Sequence, residues 1–425
     1  MRCTRFIPLG FIICAASLVL IGCNGSSAVP GSGSTPGNTP TGLTPSPTVA
    51  YVYVSSQTAS GGPNQIVAYA ADAKGQLAPV PGSPFNQSVS PMAASGGYLL
   101  AASLSQADIN TYKIESNGAL TLGSQFDYTH QTGYQASGGS TCGDVYGFVF
   151  DHSGKSLYTG VNSIDCSSNR GIASFAFDSS KGSLSYLGNV NIGYQSSAAI
   201  SVLGNNAYAY SALYDACMYG GISAFSLSNT GLVDLTPFVQ TPQYGPPAPP
   251  GAKISGVKLP SYSAGFTATD TTNHVAIGEY PCYVMTAGAG TLPVQLAAYT
   301  ADASGNLTTT DTYATMPATT VDPQGLEMSP SGSLLAVGGE GGLQVFHFNG
   351  ASPITSFGSA LTTDNISQMF WDNSNHLYAI TLNAVPPDVY PGKLHVFTVT
   401  DTSASEAPGS PYAITYPMAL AVQPE

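Results

Sequence analysis

An all-β fold, seven four-stranded sheets closed into a ring, is predicted by three observations. One strand–turn–strand pattern recurs seven times from Ala50 onward, the chain ends on a strand that its first unit lacks, and the composition suits strands and turns. Gly (48) and Pro (31) are abundant and only 8% of residues are charged, too few Lys, Glu and Arg for a helix-rich protein. With 43% hydrophobic residues the chain is too apolar for a disordered one, and no Gly-X-Y period marks a collagen.

Each unit opens with an apolar strand, a Gly/Asn/Asp turn and a second apolar strand. The clearest copies are Gly147–Gly160 (GFVFDHSGKSLYTG), Gly265–Gly278 (GFTATDTTNHVAIG) and Gly325–Gly338 (GLEMSPSGSLLAVG). Pro91–Ser103 and Gln368–Ile380 follow suit, and Ala198–Tyr210 is a weaker copy. The third strands align from Ile66, Ile109, Ile172, Ile222, Leu296, Leu343 and Leu394, alternating apolar with small or polar residues before a turn, the period of a half-buried strand. The first copy begins at its second strand (Ala50–Ser55), and Pro417–Gln423 at the far end supplies the missing first strand. Pro81-Gly82-Ser83-Pro84-Phe85 recurs as Pro408-Gly409-Ser410-Pro411-Tyr412, which places both at the start of a fourth strand. A sandwich or β-helix accounts for neither seven copies nor a split first unit, so residues 50–425 read as a seven-bladed β-propeller whose C-terminal strand joins blade one.

Upstream, Arg2 and Arg5 precede an apolar run, Phe6–Ile21, too short to span a bilayer, which needs about 20 residues. The run ends in Leu20-Ile21-Gly22-Cys23, which resembles the lipobox of bacterial lipoproteins. That resemblance implies a signal peptide over 1–22, acylation of Cys23 and an exported protein held on a membrane through its lipid, at the outer membrane or the periplasmic or cell surface. Residues 23–49 are then a lipidated cysteine and a disordered tether of Gly, Ser, Thr and Pro, able to reach about 70 Å if extended. The full chain carries 10 cations against 23 anions, a net charge of −13. No basic patch exists to neutralise phosphates, which argues against a nucleic-acid partner, and an acidic surface keeps a monomer soluble.

The strand Tyr51-Val52-Tyr53-Val54-Ser55, the turn Asp72-Ala73-Lys74-Gly75 and the Pro-Gly-Ser-Pro-Phe that follows resemble the seven-bladed lactonase-like propellers related to 6-phosphogluconolactonase, with their YVTN-type repeats. The resemblance covers about residues 50–425. It implies the ring and, as an activity, the opening of a lactone by water.

In such a ring, connections from second to third strand and from fourth strand to the next blade emerge on one face. The long insertions fall there: 127–144, 162–170, 213–220, 240–262, 280–293 and 383–393. Long loops are uncommon unless functional, so this is the expected working face. Cys142, Cys166, Cys217 and Cys282 lie in those loops, and their even number in an exported chain points to two disulfides. Cys142–Cys166 and Cys217–Cys282 is the pairing adopted, although three connectivities are open. No Cys-x-x-Cys or tight Cys/His spacing marks a metal site, and nothing calls for a cofactor.

A lactonase needs a base for water and a cradle for the oxyanion. His130 is the one histidine on the variable face, with Asp127 or Asp144 to orient it and Arg170 as the cationic donor. His152, His274 and His376 sit at tight turns on the opposite face, while His347 and His395 lie on third strands. No histidine-rich stretch precedes Val145, and Arg170 is the sole arginine beyond the signal, a thin cradle for a phosphorylated sugar. Ligand-face candidates are Tyr134, Asp165, Asp215, Tyr219, Tyr244, Glu279, Tyr283 and Lys253, since loop tyrosines give flat amphipathic area at low rotamer cost. The sequence thus points to a loop-rich face that binds a ligand or protein partner, with a lactonase-like hydrolase as the alternative.

Overall fold

The computed structural model describes residues 46–425, apart from 59–61, 105–107, 129–130, 132–144, 163–169, 194–199, 214–220, 234–237, 241–252, 255–256, 259–262, 281–292 and 382–390. Seven antiparallel sheets form the blades, and a two-residue hairpin, Lys253–Ile254 with Val257–Lys258, stands apart from them. The first strands of blades 1 to 7 are Pro417–Pro424, Val89–Ser95, Val145–Phe150, Ile200–Val202, Ser263–Thr269, Asp322–Met328 and Ile366–Trp371. Each lies beside the next, and the seventh lies beside the first. The ring is therefore closed on its inner side.

Closure occurs where expected. Pro417–Pro424 pairs with Thr48–Gln57, placing Tyr53 opposite Ala421, and the sheet continues outward through Asn64–Asp72 and Leu77–Pro79. Blade 1 thus draws its inner strand from one end of the chain and its other three from the other.

The core is divided among the blade interfaces. Among the described residues seven apolar clusters occur, one between each successive pair of blades. In the second strand of blade 1, Val52 and Val54 face blade 7 while Tyr51 and Tyr53 face blade 2. Alternation puts neighbouring side chains on opposite faces of a sheet, and here both faces are covered. That is why second strands read as continuous apolar runs.

The Pro-Gly-Ser-Pro fragment departs from its expected position. In blade 7, Ala404–Glu406 and Tyr412–Thr415 both pair with the third strand, Pro391–Val399, so the fragment interrupts the fourth strand rather than starting it. In blade 1 it likewise falls between Leu77–Pro79 and the Ile66–Phe85 bridge. Proline has no N–H to give a ladder. The serine hydroxyl repairs the gap from the other side: Ala68 N–H donates to Ser83 Oγ at 2.8 Å, and Val396 N–H to Ser410 Oγ at 2.9 Å.

At the turn-bearing end, carboxylates hold the hairpins. One oxygen of Asp151, Asp270 or Asp372 accepts two backbone N–H groups of its own turn, Asp72 and Asp302 cap third-to-fourth-strand turns in the same way, and Asp178 caps another by accepting the Ser180 N–H. Adjacent blades lock there too. Gly118 of blade 2 (φ 80°) lies so close to Tyr51 of blade 1 that an added Cβ would stand 2.5 Å from the ring. Tyr51 and Tyr53 hydroxyls donate to the Ser116 and Gly118 carbonyls. Tyr210 of blade 4 makes the same contact with the Gly305 carbonyl of blade 5. These tyrosines join blades and are not available to a ligand.

Candidate functional site

Antiparallel pairing fixes what each end of the ring carries. Second-to-third-strand and blade-to-blade connections share one end, where nearly all the sequence's long insertions begin and finish. His130, Tyr134, Cys142, Asp144, Asp165, Cys166, Asp215, Cys217, Tyr219, Tyr244, Cys282 and Tyr283 lie outside the described residues, as does Cys23. Arg170 is the first residue of the third strand of blade 3, opposite Asn162 and Gly193 at the loop-bearing end. Lys253 faces Lys258 in the separate hairpin. Whether His130, Asp144 and Arg170 converge is thus not a property of the described residues.

Glu279 is the predicted ligand-face residue whose side chain is described. It sits near the loop-bearing end of the second strand of blade 5, His274–Tyr280, opposite Gln295, and it is 2% exposed. Burial pushes its carboxyl up to about 7, against the opposing effect of Tyr299, whose hydroxyl donates to Glu279 Oε1 at 2.6 Å. Burial and then the neighbouring carboxyl also push Tyr299 up, so it stays a donor. Gln295 Nε2 donates to the Tyr313 and Met316 carbonyls and pins the connection to blade 6. The result is a carboxyl able to hold a proton near neutrality, but enclosed beneath the surface, which corrects its expected place on an open face.

Open acidic groups lie one blade further. Asp322 and Glu340 face each other across the first two strands of blade 6, both exposed. Burial, then the Glu340 charge, raises the Asp322 carboxyl above its ordinary value. Sequence reasoning missed this pair, because counting outward from Gly325 and Gly338 sets Asp322 opposite Gly341, and a one-residue register shift between Pro323 and Gly325 brings Glu340 there instead. Glu327 lies deeper on the same inner strand, where burial pushes its carboxyl up to about 8 although it keeps partial solvent access.

Cations are segregated. Lys74, Lys113, Lys155 and Lys181 all lie at or beside the turn-bearing end. Among described side chains at the loop-bearing end the cation is Lys393, and its ammonium is committed to Asp364 at 2.6 Å. A phosphorylated ligand needs convergent Arg or Lys, which these described side chains do not offer. Among the described residues no group of three or more His, Cys, Asp and Glu is placed to hold a metal ion.

Comparison with known proteins agrees with the architecture. Residues 140–253 match the family model described as lactonase, 7-bladed beta-propeller. No curated protein matches the chain. Among solved structures, a hypothetical selenium-binding protein of Sulfolobus tokodaii is 10% identical over 90% of this chain and 94% of its own, with a TM-score of 0.56. A functionally unknown protein of Desulfotomaculum acetoxidans is 14% identical over 88% of this chain and 99% of its own, with a TM-score of 0.54. The periplasmic gluconolactonase of Pseudomonas aeruginosa is 12% identical over 88% and 99%, with a TM-score of 0.41. At such identities the structural likeness speaks for the fold alone. The seven-sheet ring, closed through its last strand, makes this chain a seven-bladed β-propeller, and its residues 140–253 are similar to the lactonase family of such propellers.

Proposed function

We propose that this chain is an exported, lipid-anchored propeller that binds an unphosphorylated ligand or a protein partner at its loop-bearing end, with little or no catalysis. The observation that carries the reading is the charge at that end. Asp108, Asp127, Asp322, Glu340 and Asp364 are described carboxylates there, and the described lysine is already paired. Such a surface repels phosphorylated sugars and favours neutral or cationic groups. The anchor at Cys23 belongs to the same proposal, as do a monomeric state and the disulfides Cys142–Cys166 and Cys217–Cys282. Replacing Cys23→Ser should move the protein from the membrane to the soluble fraction.

A second reading is favoured by one finding. The lactonase family match spans residues 140–253, which include Asp144 and Arg170. On that reading His130 activates water, Asp144 orients the imidazole and Arg170 steadies the developing oxyanion of an uncharged lactone. One experiment separates the two. Hydrolysis of gluconolactone and its 6-phosphate is measured beside calorimetric titration with neutral sugars, for the parent and for His130→Ala. The binding reading expects no turnover above buffer. Turnover that disappears in His130→Ala overturns it in favour of the hydrolase.

A further inference from the structure

His395 lies on the third strand of blade 7, 3% exposed, with its ring stacked on Phe397 at 5.7 Å between centroids. Both ring nitrogens meet carboxylates. Nδ1 is 2.9 Å from Glu406 Oε1 on the fourth strand, and Nε2 is 3.0 Å from Asp364 Oδ2 on the connection that enters from blade 6. Asp364 also takes the Lys393 ammonium, and Glu406 takes the Ser410 hydroxyl at 2.9 Å. Lys393, Asp364 and Glu406 are the charged groups that meet His395 from these elements. The second strand of blade 7 contributes the apolar Ala379 opposite the ring.

A neutral imidazole has one N–H and one lone pair, so it can satisfy only one of two ionised carboxylates. The imidazolium has two N–H groups and satisfies both. It also balances the group, because two carboxylates then face two cations. Without the ring proton one half-buried contact becomes lone pair against lone pair.

The geometry points to a proton-operated latch: we infer that protonated His395 ties the blade 6-to-7 connection to the outer half of blade 7, and that loss of its proton loosens this tie, leaving Asp364 held from blade 7 by Lys393 alone. The connection is built to respond locally. Its other side is fixed to blade 6, where Leu343 N–H donates to the Thr362 carbonyl and Leu361 N–H to that of Leu343, while Gly341 N–H donates to Asn365 Oδ1. Only the Asp364 side depends on a titrating partner. The sign follows from the ring needing two protons. The tie is fully present at acid pH, provided Asp364 and Glu406 stay ionised, and is lost as pH rises through the ring's titration. Asp364 remains ionised well into the acid range, because Lys393 first and His395 after it hold its carboxyl below the usual value against the effect of burial.

The test reads the unliganded full chain, so it is independent of the binding proposal. Histidine labelled with nitrogen-15 is followed by long-range proton–nitrogen correlation, which distinguishes imidazolium from either neutral tautomer, with the His395 signal assigned by its loss in His395→Gln. Amide exchange of residues 361–366, corrected for intrinsic rates, is measured over the same pH series. The expected result is an imidazolium wherever these amides are protected and a roughly tenfold or greater loss of protection that tracks the ring's deprotonation. Glu406→Gln supplies an amide that can face either ring state, so its protection should no longer follow pH. A ring that stays a neutral tautomer throughout overturns the latch, as does protection that ignores its deprotonation or pH dependence that persists in Glu406→Gln.

Discussion

Blades 5 and 7 share a hairpin in which Asp270 and Asp372 each stand four residues before a histidine, His274 and His376. In both, one carboxylate oxygen accepts two backbone N–H groups and the other lies 2.8 Å from the ring's Nδ1. The burial differs. Side-chain exposure is 20% for His274 and 9% for Asp270, against 1% for His376 and none for Asp372. Where blade 5 has Ala276, blade 7 has Tyr378, whose ring fills the interface with blade 1 and whose hydroxyl donates to Asp372 Oδ2 at 2.9 Å. At the other end of the same strand the contrast reverses. Blade 5 buries Glu279 in the position where blade 7 has Thr381, whose hydroxyl merely accepts the Lys393 N–H. The Asp-x-x-x-His spacing therefore specifies a turn, while the neighbouring interface decides how much that turn contributes to stability.

The largest expected effect is in blade 7. Asp372→Ala strands two backbone N–H groups, the His376 Nδ1–H and the Tyr378 O–H in a dry interface, and chemical denaturation should show a loss of about 3–5 kcal/mol. Next comes Glu279→Gln. The Glu279 carboxyl sits at about 7 in the fold but near ~4.3 in the unfolded chain. Its contribution is fully present below the unfolded value and is lost as pH rises through 7. Removing the ionisation should therefore recover about 3 kcal/mol at alkaline pH, and the two stability curves should converge in acid. Equal curves at every pH would show that the carboxyl is not held protonated.

Asp270→Ala should cost less than its blade 7 counterpart, about 1–2 kcal/mol, because water can reach the donors it leaves. Similar losses at both sites would refute the role given to burial. The smallest effect is its acid dependence. Burial raises the Asp270 carboxyl, but hydrogen bonds from His274, Thr272 and their backbone amides together outweigh it and leave the carboxyl lowered. Its contribution is present above the unfolded value, near ~3.9, and disappears as pH falls through the folded one. The stability gap between parent and Asp270→Ala should narrow over that interval.

The sequence made six hairpins legible because each is local, and the split first unit because its missing strand sits at the chain's far end. It placed His274 and His376 correctly at turns. Their unequal burial was hidden, since it depends on Gly350 and Gly75 of the following blades, which a linear reading does not bring near. The latch was equally hidden: Asp364 and Glu406 reach His395 across 31 and 11 residues. Glu279 was read as a ligand-face residue, whereas its setting is made by Tyr299 on the next strand. The strand tyrosines Tyr51, Tyr53, Tyr208 and Tyr210 bind neighbouring turns, a role the sequence reading did not give them.

Blade 1 also imposes an order on folding. Six blades can assemble as the chain lengthens, each from a continuous stretch, but Tyr53 must wait for Ala421 before its inner neighbour exists. Until synthesis is complete, the inner edge of Thr48–Gln57 stays open to any passing strand, a hazard for an unfinished chain. Joining those two residues closes the longest loop in the protein, yet closure entropy grows only with the logarithm of length, so the cost is mainly in time. A premature stop before Pro417 would therefore leave a gapped ring with an exposed edge rather than a slightly shorter protein.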